Sequence, residues 1–361
     1  MALKPQPGIM DVSPYVGGES KVEGVDRICR LASNENPLGA SDAAKTAYRG
    51  IVDNLHRYPD GGSYLLRNGI AEAEGLVAEQ IVCGAGSDEL LALLIRSYVG
   101  IGDEIVYNEH GFLMYPIGAK TAGAVPVKAA EKDLRIDVDA MLGAVTDKTK
   151  IMFLANPNNP TGSYITEKEL RYLRENLNED VLLVIDAAYC EYVDSPDYIS
   201  GAEMVEEFGN VVMTRTFSKI HGLASLRLGW AYCPPEVADV LNRVRGPFNV
   251  SLAAQAAGVA AIKDKAHIER SRELNARLLG WFCQQVTELG LETRMSVANF
   301  VLLDFKAAEK AAAALEFLKQ RGILVRGMGA YGLPGFLRIS IGTDEEMRAV
   351  VENLTVFVNG S

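Results

Sequence analysis

Val181-Leu182-Leu183-Val184-Ile185-Asp186-Ala187-Ala188-Tyr189 is the stretch on which the fold turns. Five apolar residues, three of them β-branched, end in a lone carboxylate. They read as a short strand buried on both faces, the kind found in parallel sheets covered by helices. Similar runs occur at 81–83, 104–107, 125–127, 151–154, 211–214 and 228–232, with helical patterns such as 88–99 and 167–177 between them. The alternation predicts an α/β fold, with a mostly parallel central sheet flanked by helices. Thr166-x-x-Glu169 predicts a capping box on one of those helices.

The pattern changes after residue 250. Segments 251–263 and 266–289 read as helices, 300–304 as a strand, 307–321 as a helix, and 324–326 and 337–341 as strands. A last helix begins near Asp344, behind a second capping-box candidate, Thr343-x-x-Glu346. Few strands and several helices predict a smaller α/β domain. The Gly/Pro-punctuated residues 1–30 read as an N-terminal arm packing with that small domain. Residues 31–250 are then the large domain and 251–361 the small one.

The chain has 361 residues, 48% of them hydrophobic, enough for sizeable cores and too many for intrinsic disorder. Its formal net charge of −11 repels phosphate backbones, so no nucleic-acid partner is expected. Five dispersed cysteines without a CxxC pair fit reduced thiols. There is no signal-peptide core and no apolar run of about 18 residues, so a cytoplasmic protein without a membrane partner is expected. Four dispersed histidines predict no metal site.

Four motifs carry the candidate chemistry. Gly84-Ala85-Gly86-Ser87-Asp88-Glu89 follows a strand and opens a helix; it reads either as a tight turn or as an anion cradle at a helix N-terminus. It is neither a Rossmann fingerprint nor a Walker loop. Asn156-Pro157-Asn158-Asn159-Pro160-Thr161-Gly162 leaves the sheet at the end of a strand, where open α/β sheets bind ligands. Asp186 would be costly to bury unless hydrogen-bonded or paired with a cation, either a metal or a protonated ring nitrogen. A lone carboxylate makes a poor metal site. In Thr214-Arg215-Thr216-Phe217-Ser218-Lys219, the lysine ends a strand in apolar surroundings, and Arg227 follows eight residues on. Desolvation and a nearby cation lower a lysine pKa and make the amine nucleophilic.

In this order, the motifs resemble the fold type I pyridoxal-phosphate (PLP) aminotransferases over residues 31–357. The resemblance implies a fold type I PLP-transferase and assigns roles. Lys219 would hold PLP covalently through its amine, and Asp186 would pair with the pyridinium nitrogen. Asn159 and Tyr189 would hydrogen-bond the cofactor's phenolic oxygen, and Phe112 would stack on its ring. Gly86, Ser87, Asp88, Thr216, Ser218 and Arg227 would hold its phosphate. Catalysis would fall to Lys219, Asp186 and Tyr189. Arg57-Tyr58-Pro59-Asp60 resembles a loop whose tyrosine reaches the neighbouring subunit's cofactor phosphate, which implies a homodimer with shared sites.

Within the family, four segments resemble the histidinol-phosphate aminotransferase branch. They are Pro14-Tyr15-Val16-Gly17-Gly18, the stretch from Leu31 to Gly39, the Tyr58 loop, and the stretch from Gly322 through Arg326 and Arg338 to Thr343. Most relatives use the arginine at 338 on a carboxylate. Here Arg338 and Arg326 would meet a substrate phosphate, with Tyr15 and Asn159 completing the pocket. The implied reaction takes histidinol phosphate and 2-oxoglutarate to imidazole-acetol phosphate and glutamate, in histidine biosynthesis. An aromatic amino acid aminotransferase, a PLP decarboxylase of a phosphorylated amino acid, and a PLP-binding transcription regulator are the alternatives. Ile220-His221 and the segment with His110 depart from the commoner family pattern and bear on substrate choice.

Overall fold

The computed structural model describes residues 3–14 and 28–360. In chain order the strands are Cys29–Arg30 (β1), Ile81–Gly84 (β2), Glu104–Asn108 (β3), Val125–Ala129 (β4), Glu131–Lys132 (β5), Arg135–Ile136 (β6), Thr149–Ala155 (β7), Leu182–Asp186 (β8), Val211–Thr216 (β9), Gly229–Tyr232 (β10), Glu292–Thr293 (β11), Phe300–Asp304 (β12), Ile323–Leu324 (β13), Arg326–Gly327 (β14) and Phe336–Ser340 (β15). Helices of functional weight are Asp42–Arg49 (α1), Tyr64–Glu74 (α2), Ser87–Tyr98 (α3), Met114–Thr121 (α4), Leu252–Lys263 (α5), Lys265–Glu288 (α6), Ala308–Lys319 (α7) and Asp344–Asn359 (α8).

Seven strands form one sheet in the order β2-β10-β9-β8-β7-β3-β4. Only β10 runs antiparallel, to β2 on one side and β9 on the other. The other pairings in the sheet are parallel. All seven runs read from the sequence are therefore in this sheet. Side chains alternate between its faces. Met152, Leu154, Leu183, Ile185, Val211 and Met213 enter one core. Ile151, Phe153, Leu182, Val184 and Val212 enter the other. Both faces are buried, which is why these strands read as unbroken apolar runs.

The same alternation sorts the polar residues of β9. Thr214 and Thr216 share the face of Val212, and Arg215 takes the opposite one. There its guanidinium donates to Glu74 at 2.5 Å and to Glu191 at 2.8 Å, and lies 5.1 Å from the Trp230 ring. Glu191 sits in the short turn Cys190–Tyr192 that follows β8. One buried cation thus ties α2, β9 and the exit of β8.

A second sheet, in the order β11-β12-β15-β14, is wholly antiparallel. Its core takes side chains from α6, α7 and α8. The single strand expected at 324–326 is split: β13 pairs in parallel with β1, whereas β14 pairs with β15. Hydrogen-bonding partners, not local sequence, divide it. Both capping boxes form, at Thr166 with Glu169 and at Thr343 with Glu346. Helix α5, just past residue 250, contributes Ala254, Ala257, Ala261 and Ile262 to the first core of the large sheet. Of residues 1–30, the turn Ile9–Asp11 lies against α4, where Lys120 Nζ donates to the Asp11 carbonyl at 3.2 Å, and β1 joins β13.

Arg215→Met leaves Glu74 and Glu191 without their cation inside the fold. Breaking a buried ion pair from one side costs about 3–5 kcal/mol. Urea unfolding should show that loss, and Arg215→Lys a smaller one.

Candidate active site

Parallel strands place their C-terminal ends on one edge of the sheet, where loops can converge on a ligand. Here β2, β7, β8 and β9 all end on that edge. They deliver Ser87, Asn159, Asp186 and Lys219 to one cavity of about 280 Å³, closed on its far side by Arg326 and Arg338 of the second sheet.

Asp186 is the last residue of β8, in register with Ala155 and Thr214. It is 5% exposed. Its Oδ2 accepts from Tyr115 Oη at 2.9 Å and its Oδ1 from Thr214 Oγ1 at 3.4 Å. These hydroxyls oppose but do not cancel the cost of burial, which pushes its pKa up to about 6. Tyr115 is held by stacking on Phe153, with ring centroids 4.6 Å apart, and by the edge of Phe112 at 5.8 Å.

Lys219 follows β9. Burial, then the positive charge of Arg338, holds its pKa down to about 8. Its Nζ donates to the Ser33 carbonyl at 3.0 Å and lies 5.7 Å from the centre of the Tyr189 ring. Tyr189 is buried, and its hydroxyl accepts from Asn34 Nδ2 at 2.9 Å.

The N-terminus of α3 forms the second wall. Gly86 precedes it at φ +89°, and a Cβ there would lie 2.5 Å from Arg227 Nη2. A Cβ on Gly229 would lie 2.3 Å from the Ser87 nitrogen. Both glycines are required by close approach. Arg227 Nη1 donates to Ser218 Oγ at 3.3 Å, and its Nη2 to Asp88 Oδ2 at 3.2 Å. The Ser218 nitrogen donates to Thr216 Oγ1 at 3.1 Å. Backbone N–H groups, two hydroxyls and a guanidinium so converge as in anion sites.

Arg326 and Arg338 are direct partners across β14 and β15, so both project from the same face. Arg338 Nη1 donates to Asn159 Oδ1, and its Nη2 to the Ala32 carbonyl at 2.9 Å. The peptide bonds before Pro157 and Pro160 are cis.

The cavity therefore gathers Ser87, Asp88, Phe112, Asn159, Asp186 and Tyr189 with Thr216, Ser218, Lys219, Arg227, Arg326 and Arg338. Gly86 lies directly behind it. Tyr58 is not brought to the cavity of its own chain; it is 82% exposed and stacks on Phe248 with centroids 4.6 Å apart. Tyr15 lies outside the described residues. Neither departing histidine lines the cavity. His110 Nδ1 lies 2.8 Å from Glu131 Oε2, and buried His221 packs beside Phe217. Burial and then Arg215 push the His221 pKa down to about 3, so it is neutral.

Three contributors were missed in the sequence. Tyr115 and Thr214 hold Asp186, and Asn34 holds Tyr189. Asn34 sits at φ +56°, a conformation asparagine tolerates better than most residues. That turn chemistry and its place in the stretch from Leu31 to Gly39 were its available signals.

A family model described as aminotransferase class I and II matches residues 26–354. The chain is 56% identical over 359 residues to the histidinol-phosphate aminotransferase of Paramagnetospirillum magneticum, covering 99% of each. It is 55% identical over 357 residues to that of Rhodospirillum centenum, again covering 99% of each. Among solved structures, the Sinorhizobium meliloti histidinol-phosphate aminotransferase in complex with pyridoxal-5'-phosphate superposes with a TM-score of 0.93, at 28% identity and 99% coverage of both chains.

The pH dependence of Asp186 is testable without any ligand. Folding raises its pKa from 3.8 to about 6, so the folded state holds the proton more tightly. Stability is greatest below the ordinary carboxylate range and falls as pH rises through about 4 to 6. Cofactor-free Asp186→Asn escapes this penalty. It should be more stable than the cofactor-free parent by about 1–3 kcal/mol at pH 8, with the gap closing toward pH 4. Urea titrations at both pH values measure it.

Proposed function

The chain belongs to the class I and II aminotransferase family, and we propose that it is the pyridoxal-phosphate-dependent enzyme that moves the amino group of L-histidinol phosphate to 2-oxoglutarate. The products are imidazole-acetol phosphate and glutamate, and the reaction serves histidine biosynthesis. One observation carries the substrate reading: Arg326 and Arg338, side by side across two strands, offer two cations to a group of nearly two negative charges. The full-length similarity to histidinol-phosphate aminotransferases supports it. An aromatic donor, a decarboxylase or a transcription regulator is not favoured by those relatives.

The residues present fit pyridoxal phosphate. Asp186 is a buried carboxylate whose described neighbours supply two hydroxyls and the Ala188 N–H but no cation, so a protonated ring nitrogen would relieve its cost. The cradle of Gly86, Ser87, Asp88, Thr216, Ser218 and Arg227 suits the phosphate, Phe112 the ring face, and Asn159 and Tyr189 the phenolic oxygen. When bound, the cofactor supplies an aldehyde that takes up the amino group and a ring that accepts the electron pair left at the α-carbon.

The chain's own residues do the rest. Lys219, with its pKa near 8, presents a neutral amine in a substantial fraction of molecules at working pH. It takes the proton from the α-carbon as a base and, as an acid, would deliver it to the carbon of the cofactor's former aldehyde, a service worth about 10²–10⁴-fold. Asp186 keeps a proton on the ring nitrogen by staying ionised beside it. Tyr115 and Thr214 fix that carboxylate. Tyr189, oriented by Asn34, flanks the amine. Arg338 is pre-set by Asn159 and the Ala32 carbonyl to receive the anion, which fixes the α-carbon over the base.

We also propose a homodimer. Leu55, Tyr58, Tyr64, Leu65 and Phe248 are apolar residues between 46% and 82% exposed. A second copy would cover them and receive Tyr58 at its cofactor phosphate. No helix among the described residues is long and apolar enough to cross a membrane, and a cytoplasmic enzyme fits this chemistry.

Three measurements test the reading. A half-reaction screen, following loss of cofactor absorption, should rank histidinol phosphate above phenylalanine in kcat/KM, and the reverse order would reassign the substrate. Lys219→Ala should fold normally and lose turnover by about 10³-fold or more. Arg326→Ala should raise KM for histidinol phosphate about tenfold, because a charge-assisted contact is lost.

A further inference from the structure

Among the described residues, three acids line the cavity: Glu35, Asp88 and Asp186. Asp186 is engaged by Tyr115 and Thr214, and Asp88 by Arg227. The carboxylate of Glu35 is exposed and makes no hydrogen bond or ion pair with a described residue. Its charge nevertheless reaches the site, since it raises the pKa of Lys219 against the stronger effects of burial and Arg338. A carboxylate placed among anion-binding groups works against them unless it has a cationic or N–H-bearing target of its own.

The loop that carries Glu35 runs along the cavity in a definite order. The Ala32 carbonyl accepts from Arg338, and the Ser33 carbonyl accepts from Lys219 Nζ. Asn34 then donates to Tyr189, and Glu35 follows. Read along the chain, this is an anion-binding cation, the reacting amine, and then a free anion. Histidinol phosphate carries its groups in the same order: a phosphate, the amine-bearing carbon, and an imidazole. An imidazole bears an N–H donor in its neutral form and two in its charged form.

We propose that Glu35 is a specificity residue whose carboxylate accepts an N–H of the substrate imidazole. This rests on the histidinol-phosphate reading above. It also gives a physical reason for discrimination. A phenyl side chain offers no donor and would leave the carboxylate unpaired against an apolar face. The backbone bonds of residues 32 and 33 hold the loop in place, so Glu35 need not move to act.

The test compares two substrates on one variant of the cofactor-loaded enzyme. Glu35→Ala should raise KM for histidinol phosphate about tenfold, with kcat changed much less, while KM for glutamate does not rise. Glu35→Gln, whose amide oxygen still accepts, should recover part of the loss. An equal rise for both substrates, or no change for either, overturns the proposal, because a merely structural or solvent-facing glutamate gives one of those results. If the parent enzyme itself does not use histidinol phosphate, the substrate reading falls first. If the parent uses it and the variant is unaltered, only the role of Glu35 falls.

Discussion

A carboxylate held at the buried end of a strand, hydrogen-bonded but with no cation against it among the described residues, is the constraint on which this structure depends. Asp186 occupies the end of β8, between β7 and β9, where water is excluded. The fold meets part of the cost with Tyr115 and Thr214 and leaves the rest as a raised pKa. That residual cost is chemically useful, because it favours any ligand bringing positive charge to that point. The same exclusion of water acts in the opposite sense on Lys219 and holds its pKa down to about 8. One low-dielectric edge of a sheet therefore prepares a charge partner and a base together.

Strand geometry distributes these roles. On β9 the alternation of side chains sends Thr214 to Asp186 and Arg215 to the opposite face. Arg215, paired with Glu74 and Glu191, braces the exits of β8 and β9 from behind, so the two strand ends that carry Asp186 and Lys219 share a support. The second sheet supplies what the first cannot. Arg326 and Arg338 lie opposite each other on β14 and β15, and Arg338 reaches across to Asn159. A cavity between two sheets can combine a ring-binding edge with an anion-binding wall.

The large sheet was legible in the sequence for a physical reason: strands buried on both faces leave apolar runs whose bounds survive tertiary packing. The capping boxes were legible because they are local. The stretch at 324–326 was not, since its halves pair with β1 and β15, partners far away in the chain. Most of the candidate site could be read because Asn159, Asp186, Lys219 and Arg227 stand at strand ends in motifs with few alternative uses. Tyr115 could not, because an aromatic inside an apolar helix looks like core and is core on every side except its hydroxyl. Glu35 lies in the stretch from Leu31 to Gly39 that resembles the family, but that likeness assigns it no role; its meaning comes from following two carbonyls that bind Lys219 and Arg338. His110 and His221 drew notice as departures from the family pattern, yet burial and Glu131 explain them better than the cavity does.

In the proposed reaction one amine, on residue 219, carries the cofactor. Purified protein supplied with pyridoxal phosphate, reduced with borohydride and digested, can be read by peptide mass spectrometry. A pyridoxyl adduct is expected on the peptide bearing Lys219 and on no other. An adduct on a different lysine, or none at all with cofactor present, would contradict it.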